Sequence, residues 1–189
     1  MTNLLHADWS SLPPPEDDNG AQHLDGAAVP SLSLPDTHGN AVDLSRLSGT
    51  TVVYAYPMTG RPDMPLPDGW DMIPGARGCT PQSCAFRDHY AELRALGVGH
   101  LFGLSTQDTG YQAEAVNRLH LPFPLLSDAR LEMAHALRLP TMNVAGTTLL
   151  KRLTLIVVGG RVTKAFYPVF PPDRSAADVI SWLGADQRG

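Results

Sequence analysis

The chain has 189 residues, of which 43% are hydrophobic and 17% charged, and its formal net charge is −5. This composition favours one globular domain and excludes the charge excess of a disordered chain. The negative charge and the lack of a basic cluster argue against nucleic-acid binding. No apolar run is long enough to span a bilayer, and Met1–Ser10 lacks the features of a secretory signal. We therefore expect a cytoplasmic protein that does not bind membranes.

The first 27 residues show little hydrophobic periodicity. They contain Pro13-Pro14-Pro15 and the acidic run Glu16-Asp17-Asp18. We interpret residues 1–27 as a flexible acidic N-terminal arm and residues 28–189 as one domain.

The domain begins with a predicted β-hairpin over residues 32–44, where alternating apolar residues flank a segment of turn-forming residues. The β-prone segments 51–56 and 98–104 suit central strands that are buried on both faces. Between these two strands lie a loop rich in Pro and Gly, residues 58–78, and a helical pattern over residues 80–96. Connections as long as this loop are uncommon unless they are functional.

Further helices are predicted over residues 109–119, with Thr106 or Asp108 as the N-cap, and directly after Asp128. Two apolar segments joined by Gly159-Gly160 predict a second hairpin. Ser175 and Asp178 resemble a capping box at the start of a last helix. This order predicts an α/β fold with a central mixed β-sheet, parallel strands in its middle and helices on both faces.

The two cysteines, Cys79 and Cys84, lie where the long loop ends and a helix begins. Free backbone N–H groups and the helix dipole favour a thiolate at Cys79, and Arg77 adds positive charge. Alternatively, both thiols are small buried apolar groups, an interpretation that has more weight for Cys84. Two cysteines are too few for a disulfide scaffold and lack the partners of a zinc site, so we expect neither metal nor cofactor.

The residues around the cysteines carry a resemblance to a known family. Gly78-Cys79-Thr80-Pro81-Gln82-Ser83-Cys84 with Arg87-Asp88 resembles the signature Gly-Cys-Thr-x-Glu/Gln-x-Cys-x-x-Arg-Asp of the Q-type peroxiredoxins, or bacterioferritin-comigratory proteins, which are AhpC/TSA-like redoxins. Gly103-Leu104-Ser105, Leu121–Asp128 and Arg152–Ile156 resemble further family motifs in the same order. The resemblance covers roughly residues 29–183 and implies a thioredoxin-like fold.

The resemblance also implies an antioxidant oxidoreductase that reduces hydrogen peroxide or alkyl hydroperoxides and is recycled by a thioredoxin-like reductant. We expect a monomer or a homodimer. Cys79 is then the peroxidatic cysteine, which forms a sulfenic acid, and Cys84 is the resolving cysteine of an intramolecular disulfide. Arg152 would hold the thiolate and polarise the peroxide.

Helix geometry adds an expectation about this disulfide. Five helical residues separate Cys79 and Cys84 by about 7.5 Å along the helix axis, whereas a disulfide requires closer Cα atoms and converging side chains. Residues 79–85 are therefore expected to unwind in each catalytic cycle.

One family feature is absent. The usual Pro-x-x-x-Thr-x-x-Cys would require Pro and Thr at the positions of Met72 and Ala76. We expect Met72 to help pack the long loop, together with Trp70. The residues that we expect to contact peroxide are Pro57, Thr59, Arg77, Thr80 and Gln82, with Arg61 as a further alternative.

Two other functions remain open. A protein thiol–disulfide oxidoreductase usually carries Cys-x-x-Cys, which differs from the spacing of Cys79 and Cys84. The other alternative is a redox-sensing or partner-binding module that has kept the fold but lost turnover.

Overall fold

The structure is a computed structural model that describes residues 8–186. Residues 1–7 of the predicted arm and residues 187–189 of the predicted domain lie outside the described residues. The strands are β1 (Leu34–Pro35), β2 (Ala41–Val42), β3 (Thr50–Ala55), β4 (Val98–Ser105), β5 (Leu125–Ser127), β6 (Thr141–Val144), β7 (Thr147–Leu150), β8 (Leu153–Val158) and β9 (Arg161–Phe166). The α-helices are α1 (Cys79–Asp88), α2 (Tyr90–Ala95), α3 (Thr109–Leu119), α4 (Glu132–Leu137) and α5 (Ser175–Asp186).

Five strands form the central sheet, in the order β5-β4-β3-β8-β9. The first three are parallel to one another, β8 is antiparallel to β3, and β9 is antiparallel to β8. Successive residues of a strand point to opposite faces, and both faces of β3 are covered: Val53 packs in one core cluster and Val52 in the other. Helix α4 covers one face and α1, α2, α3 and α5 cover the other. The predicted mixed sheet is confirmed.

The local predictions are largely confirmed by hydrogen bonds. Asp108 is the N-cap of α3, where its carboxylate accepts from the backbone N–H of Tyr111 at 2.7 Å. The carboxylate of Asp128 accepts from the backbone N–H groups of Met133 and Ala134 and so holds the start of α4. Both predicted hairpins are present, β1–β2 and β8–β9.

Three helix predictions need correction. The helical segment 80–96 is divided into α1 and α2 at His89, although the backbone N–H of His89 still donates to Ala85. Ser175 forms no capping box, because its hydroxyl is occupied by Gln82 and Thr154. Helix α4 begins at Glu132, with Leu131 as its N-cap, and not directly after Asp128.

The β6–β7 hairpin was not predicted. Its turn residues, Ala145 and Gly146, both have positive φ, of 50° and 81°. Glycine adopts this conformation readily, but alanine seldom does, so Ala-Gly is a weak sequence signal for a hairpin.

The loop over residues 58–78 contains no strand or α-helix, only a 3-10 turn at Trp70–Met72. Trp70 and Ala76 are buried and pack against Val144 and Leu149 of the β6–β7 hairpin. The prediction that Met72 packs the loop is wrong, because 68% of its surface is exposed.

The described part of the N-terminal arm, residues 8–27, is attached to the domain along its length. Leu24 is fully buried in the core. The Asp18 carboxylate accepts from the Lys151 ammonium at 2.6 Å and from the Tyr167 hydroxyl at 2.7 Å. These two hydrogen bonds lower the pKa of Asp18 to about 2. The contacts are separate points without periodicity, which is why the sequence did not indicate them.

Between residues 8 and 186, no helix combines the length and the apolar character needed to cross a membrane.

Candidate active site

Helix α1 begins at Cys79, whose side chain is only 3% exposed. The residue before it, Gly78, is the N-cap and has φ 110°. A β-carbon at Gly78 would lie 2.5 Å from Cγ of Pro172, so only glycine fits this close contact. Met58 and Gly60, which follow β3, line the same cavity as Cys79. The thiol therefore lies near the C-terminal end of a central parallel strand.

The Arg152 guanidinium contacts the sulfur of Cys79. Nη2 of Arg152 lies 3.4 Å from Sγ and also 3.2 Å from each carbonyl oxygen of Gly75, Ala76 and Arg77. The Cys79 thiol in turn lies 3.6 Å from the Ala76 carbonyl. The backbone just before α1 thus fixes the position of the guanidinium beside the thiol.

The charge of Arg152 has no carboxylate counterion among the described residues. Arg152 is 3% exposed, its partners besides the Cys79 sulfur are carbonyl and amide oxygens, and its Nε has no partner within residues 8–186. A buried charge without a counterion is costly. The Cys79 sulfur, 3.4 Å from Nη2, is the side-chain atom beside this cation that can become an anionic nucleophile.

Gln82 holds Arg152 from the other side. Its Oε1 accepts from Nη1 of Arg152 at 2.5 Å, and its Nε2 donates to the Ser175 hydroxyl at 3.3 Å. Ser175 is 3.0 Å from the hydroxyl of Thr154 on β8. One buried polar network therefore connects α1, β8 and the start of α5 to the guanidinium.

Cys84 lies on the same helix but faces the core. Its side chain is 4% exposed, and burial raises the pKa of its thiol. Both cysteines are free thiols in this structure.

Tyr54 of β3 holds the first turns of α1 through two contacts. Ser83 accepts a hydrogen bond from the Tyr54 hydroxyl at 3.1 Å, and Phe86 stacks on the Tyr54 ring with centroids 4.4 Å apart.

A cavity of about 460 Å³ opens beside Cys79. Much of its wall is apolar, and the long loop contributes Pro62, Met64, Leu66 and Trp70. Its lining also includes three arginines, each already paired with a carboxylate: Arg61 with Asp63, Arg77 with Asp71 and Arg118 with Glu114. The cavity could therefore accept a small peroxide or one that carries an organic group.

The structure separates the residues that the sequence suggested for peroxide binding. Thr80 and Arg77 line the cavity beside Cys79, as does the alternative Arg61. Gln82 is fully buried and contacts Arg152 rather than the cavity.

Two other candidates lie behind the cavity wall. Pro57 is buried and does not line the cavity. Thr59 is fully buried, and its backbone and hydroxyl are held by Gln107, while its carbonyl accepts from Tyr111.

Two residues that contribute to the site could not be identified from spacing in the sequence. Trp9 of the arm lines the cavity, although it precedes Cys79 by a long stretch of chain. The sequence predicts only a buried strand at Tyr54, yet its ring and hydroxyl support α1. The motif glycine Gly103 gave an indirect signal, because a β-carbon there would lie 2.8 Å from the Tyr54 ring.

Within the described residues, no group of three or more His, Cys, Asp or Glu side chains is placed to hold a metal ion.

Comparison with known proteins identifies the family of the chain. The sequence model of the family described as Redoxin matches residues 24–180. Peroxiredoxin Q, chloroplastic, of Oryza sativa subsp. japonica is 30% identical over 159 residues, which are 84% of this chain and 65% of the relative. Peroxiredoxin Q, chloroplastic, of Gentiana triflora is 27% identical over 180 residues, 92% of this chain and 75% of the relative. The chain thus spans slightly less than two thirds of the rice protein.

Solved structures share the fold. Peroxidoxin BcpB from Mycobacterium tuberculosis superposes with a TM-score of 0.69 at 25% identity, over 86% of this chain and 97% of that one. A PrxQ variant from Xylella fastidiosa gives a TM-score of 0.70 at 17% identity, over 86% and 96% of the two chains, and shows likeness of fold alone. The fold is that of the thioredoxin-like peroxiredoxins. With its family match, its cysteine signature and this fold, the chain belongs to the redoxin family, as a peroxiredoxin of the Q type, the bacterioferritin-comigratory proteins.

Proposed function

We propose that the chain is a thiol-dependent peroxidase that reduces hydrogen peroxide or alkyl hydroperoxides at Cys79. The observation that carries this proposal is the 3.4 Å contact between Nη2 of Arg152 and the Cys79 sulfur. Arg152 is buried without a carboxylate partner in the described part of the chain, so the thiolate is its available counterion. A nucleophilic sulfur is thereby held at the wall of an accessible cavity.

The first step is attack of the Cys79 thiolate on one peroxide oxygen. The sulfur–oxygen bond forms as the O–O bond breaks, and the leaving oxygen takes a proton to give water or an alcohol. Cys79 is oxidised by two electrons to a sulfenic acid. The Arg152 guanidinium is placed to stabilise negative charge that develops on the oxygens beside the sulfur.

The second step joins Cys79 to Cys84. The Cys84 thiolate attacks the sulfenic sulfur, the disulfide forms, and hydroxide leaves and is protonated to water. Both cysteines lie on α1 and Cys84 is buried, so α1 has to unwind before the two sulfurs can meet. A thioredoxin-like dithiol then reduces the disulfide by thiol–disulfide exchange.

Peroxide binding uses the cavity beside Cys79. Ala76 stands at the position where the family usually has threonine, and its carbonyl is bound to Arg152. We propose that Thr80 and Arg77, which line the cavity, orient the peroxide instead. The apolar side chains of the long loop are placed to contact the organic group of an alkyl hydroperoxide.

The proposal is tested by peroxide consumption with the reduced protein, thioredoxin, thioredoxin reductase and NADPH. Continuous turnover is expected for the wild type and none for Cys79→Ser. Cys84→Ser should oxidise once without turning over with thioredoxin. Failure of the wild-type protein to consume peroxide would contradict the proposal.

A redox-sensing module is the second candidate, favoured by one observation, the missing hydroxyl at Ala76. Stoichiometric oxidation without turnover, in the presence of a competent reductant, would favour it. An insulin-reduction assay separates both from a protein thiol–disulfide oxidoreductase, which alone should reduce insulin disulfides.

A further inference from the structure

We propose that Trp9, on the N-terminal arm, is a positioning residue that holds the first turn of α1 folded and so limits the rate at which Cys79 and Cys84 form their disulfide. The inference rests on the proposed function and adds a control on its second step.

Trp9 packs directly on the N-cap of α1. A β-carbon built on Gly78 would lie 3.0 Å from Cη2 of the Trp9 ring and 2.9 Å from Cβ of Pro172. The backbone just before Cys79 is therefore enclosed between an arm residue and the 3-10 turn at Pro172–Arg174. The same indole ring lines the cavity of Cys79.

Two further contacts fix the indole ring. Its Nε1 donates to the carboxylate of Asp173 at 2.9 Å, and the ring packs edge-to-face on Phe170 with centroids 6.3 Å apart. Asp8 supports the turn that carries Trp9 by accepting from the backbone N–H of Ser10 at 3.1 Å. The ring is thus held by the segment that precedes α5, which lies outside the residues 79–85 that are expected to unwind.

The arm continues over the backbone that binds Arg152. A β-carbon on Gly75 would lie 3.3 Å from Cβ of Pro15, so the two residues are in close contact. Asp18 then binds Lys151, the neighbour of Arg152. The arm therefore passes over both ends of residues 75–78, the segment whose carbonyls hold the guanidinium.

These contacts stabilise the folded form of α1. Unwinding residues 79–85 moves the backbone at Gly78 away from the Trp9 ring, so the packing there is lost in the unwound form. Disulfide formation proceeds only from the unwound form, and its rate is proportional to the fraction of molecules in that form. Attack on peroxide instead needs the folded form, in which Arg152 contacts Cys79. Loss of Trp9 should change the two steps in opposite directions.

The fate of the sulfenic acid follows from this balance. Slow unwinding leaves time for a second peroxide to oxidise the sulfenic acid to sulfinic acid, with release of a second water or alcohol. The packing of Trp9 on Gly78, which we call the Trp9 clamp, should therefore raise the yield of sulfinic acid at high peroxide concentration.

The test compares Trp9→Ala and Trp9→Phe with the wild type by rapid mixing with hydrogen peroxide. In Trp9→Ala, disulfide formation should accelerate about tenfold, which corresponds to about 1.4 kcal/mol. Oxidation of Cys79 should become slower, and the sulfinic acid yield should fall. Trp9→Phe retains a ring but loses the hydrogen bond to Asp173, so its rates should lie between those of Trp9→Ala and the wild type.

The matched control is His23→Ala, which removes an arm contact to the Leu137 carbonyl on the far side of the domain and should change neither rate.

Amide hydrogen exchange of the reduced protein tests the clamp without peroxide. Exchange at Gln82, Ser83 and Cys84 should be faster in Trp9→Ala than in the wild type and unchanged in His23→Ala. Asp173→Asn, which keeps the indole, should show a smaller shift of the same sign and serves if Trp9→Ala does not fold. Unchanged exchange and disulfide rate in the folded variants, or a parallel decrease of both chemical rates, would overturn the inference. If Trp9→Ala exchanges faster but the wild-type protein consumes no peroxide, the proposed peroxidase activity is rejected and the inference about Trp9 is retained.

Discussion

Arg152 and Cys79 are 73 positions apart in the chain, yet Nη2 of the arginine lies 3.4 Å from the sulfur. The guanidinium is held by three backbone carbonyls before α1 and by Gln82 within it. Its position is therefore set by the folded first turn of α1. The same helix has to unwind to form a disulfide, so reaction with peroxide and resolution require different conformations of one segment.

Replacing Arg152 tests the charge beside the sulfur. Arg152→Met should lower the second-order rate constant for Cys79 oxidation by about 100-fold or more, because a preorganised donor to the developing charge is lost. Arg152→Lys keeps the charge but not the planar fork and should be intermediate. Stopped-flow kinetics measure the rates, and thermal unfolding checks the fold. The control Arg174→Met, an exposed arginine in the 3-10 turn, should react like the wild type. An Arg152→Met rate within about threefold of the wild type would exclude the role that we assign to the guanidinium.

The long loop should influence which peroxide is preferred. Leu66 lines the cavity and is 43% exposed, so Leu66→Ser should remove apolar contact with an organic group. A loss of about 1 kcal/mol would lower kcat/KM for cumene hydroperoxide about fivefold, with little effect on hydrogen peroxide. Met72→Ser is the matched control, because Met72 lies in the same loop but does not line the cavity. Equal effects on both peroxides would place Leu66 outside the binding site.

Two glycines with positive φ make a matched pair. Gly78→Ala combines a φ of 110° with a contact of 2.5 Å between the new β-carbon and Pro172. Gly97→Ala has a φ of 87° and no atom within 4 Å of the new β-carbon. We expect Gly97→Ala to lower the free energy of unfolding by about 1–2 kcal/mol and Gly78→Ala to lower it by about 1–3 kcal/mol more. Denaturant titration measures both values, and equal losses would show that the contact with Pro172 is relaxed at no cost.

Disulfide formation should depend on pH through Cys84. Burial raises the pKa of this thiol above its ordinary value of 9.0, so the folded helix favours the neutral form. The resulting stabilisation of the folded helix is complete below pH 9.0, the ordinary pKa of the thiol. It is lost as the pH rises through the raised pKa of Cys84 in the folded state. Resolution should therefore accelerate with pH by up to about tenfold per unit. Below pH 9.0 the cause is the growing thiolate fraction of the unwound form, and above pH 9.0 it is the growing population of the unwound form itself.

This pH dependence is measured by following disulfide formation after a single oxidation. Cys84→Ser is the control, because it lacks the thiol whose ionisation favours unwinding. After correction for the intrinsic pH dependence of amide exchange, its helix α1 should show no increase in opening above pH 9.0. A pH-independent resolution rate would show that unwinding alone, without ionisation of Cys84, limits the step.

The sheet and most helices followed from local patterns. Gly159-Gly160 between two β-prone segments predicted the β8–β9 hairpin, and Asp108 and Asp128 marked helix starts because their carboxylates bind free backbone N–H groups. The β6–β7 hairpin escaped prediction because Ala145 occupies a backbone conformation that alanine seldom adopts.

The site was only partly accessible from sequence. The resemblance identified Cys79, Cys84 and Arg152, but spacing could not show that Gln82 binds Arg152 rather than the cavity. Contacts between distant segments leave no local pattern. Trp9 reaches Asp173 across 164 positions, so the attachment of the arm required the structure.

Mass spectrometry of the wild type and of Cys84→Ser after one equivalent of hydrogen peroxide tests the central claim most directly. We expect an intramolecular disulfide between Cys79 and Cys84 in the wild type and a trapped sulfenic acid at Cys79 in the variant. Unmodified Cys79 in both proteins, or oxidation found first at Cys84, would contradict the account.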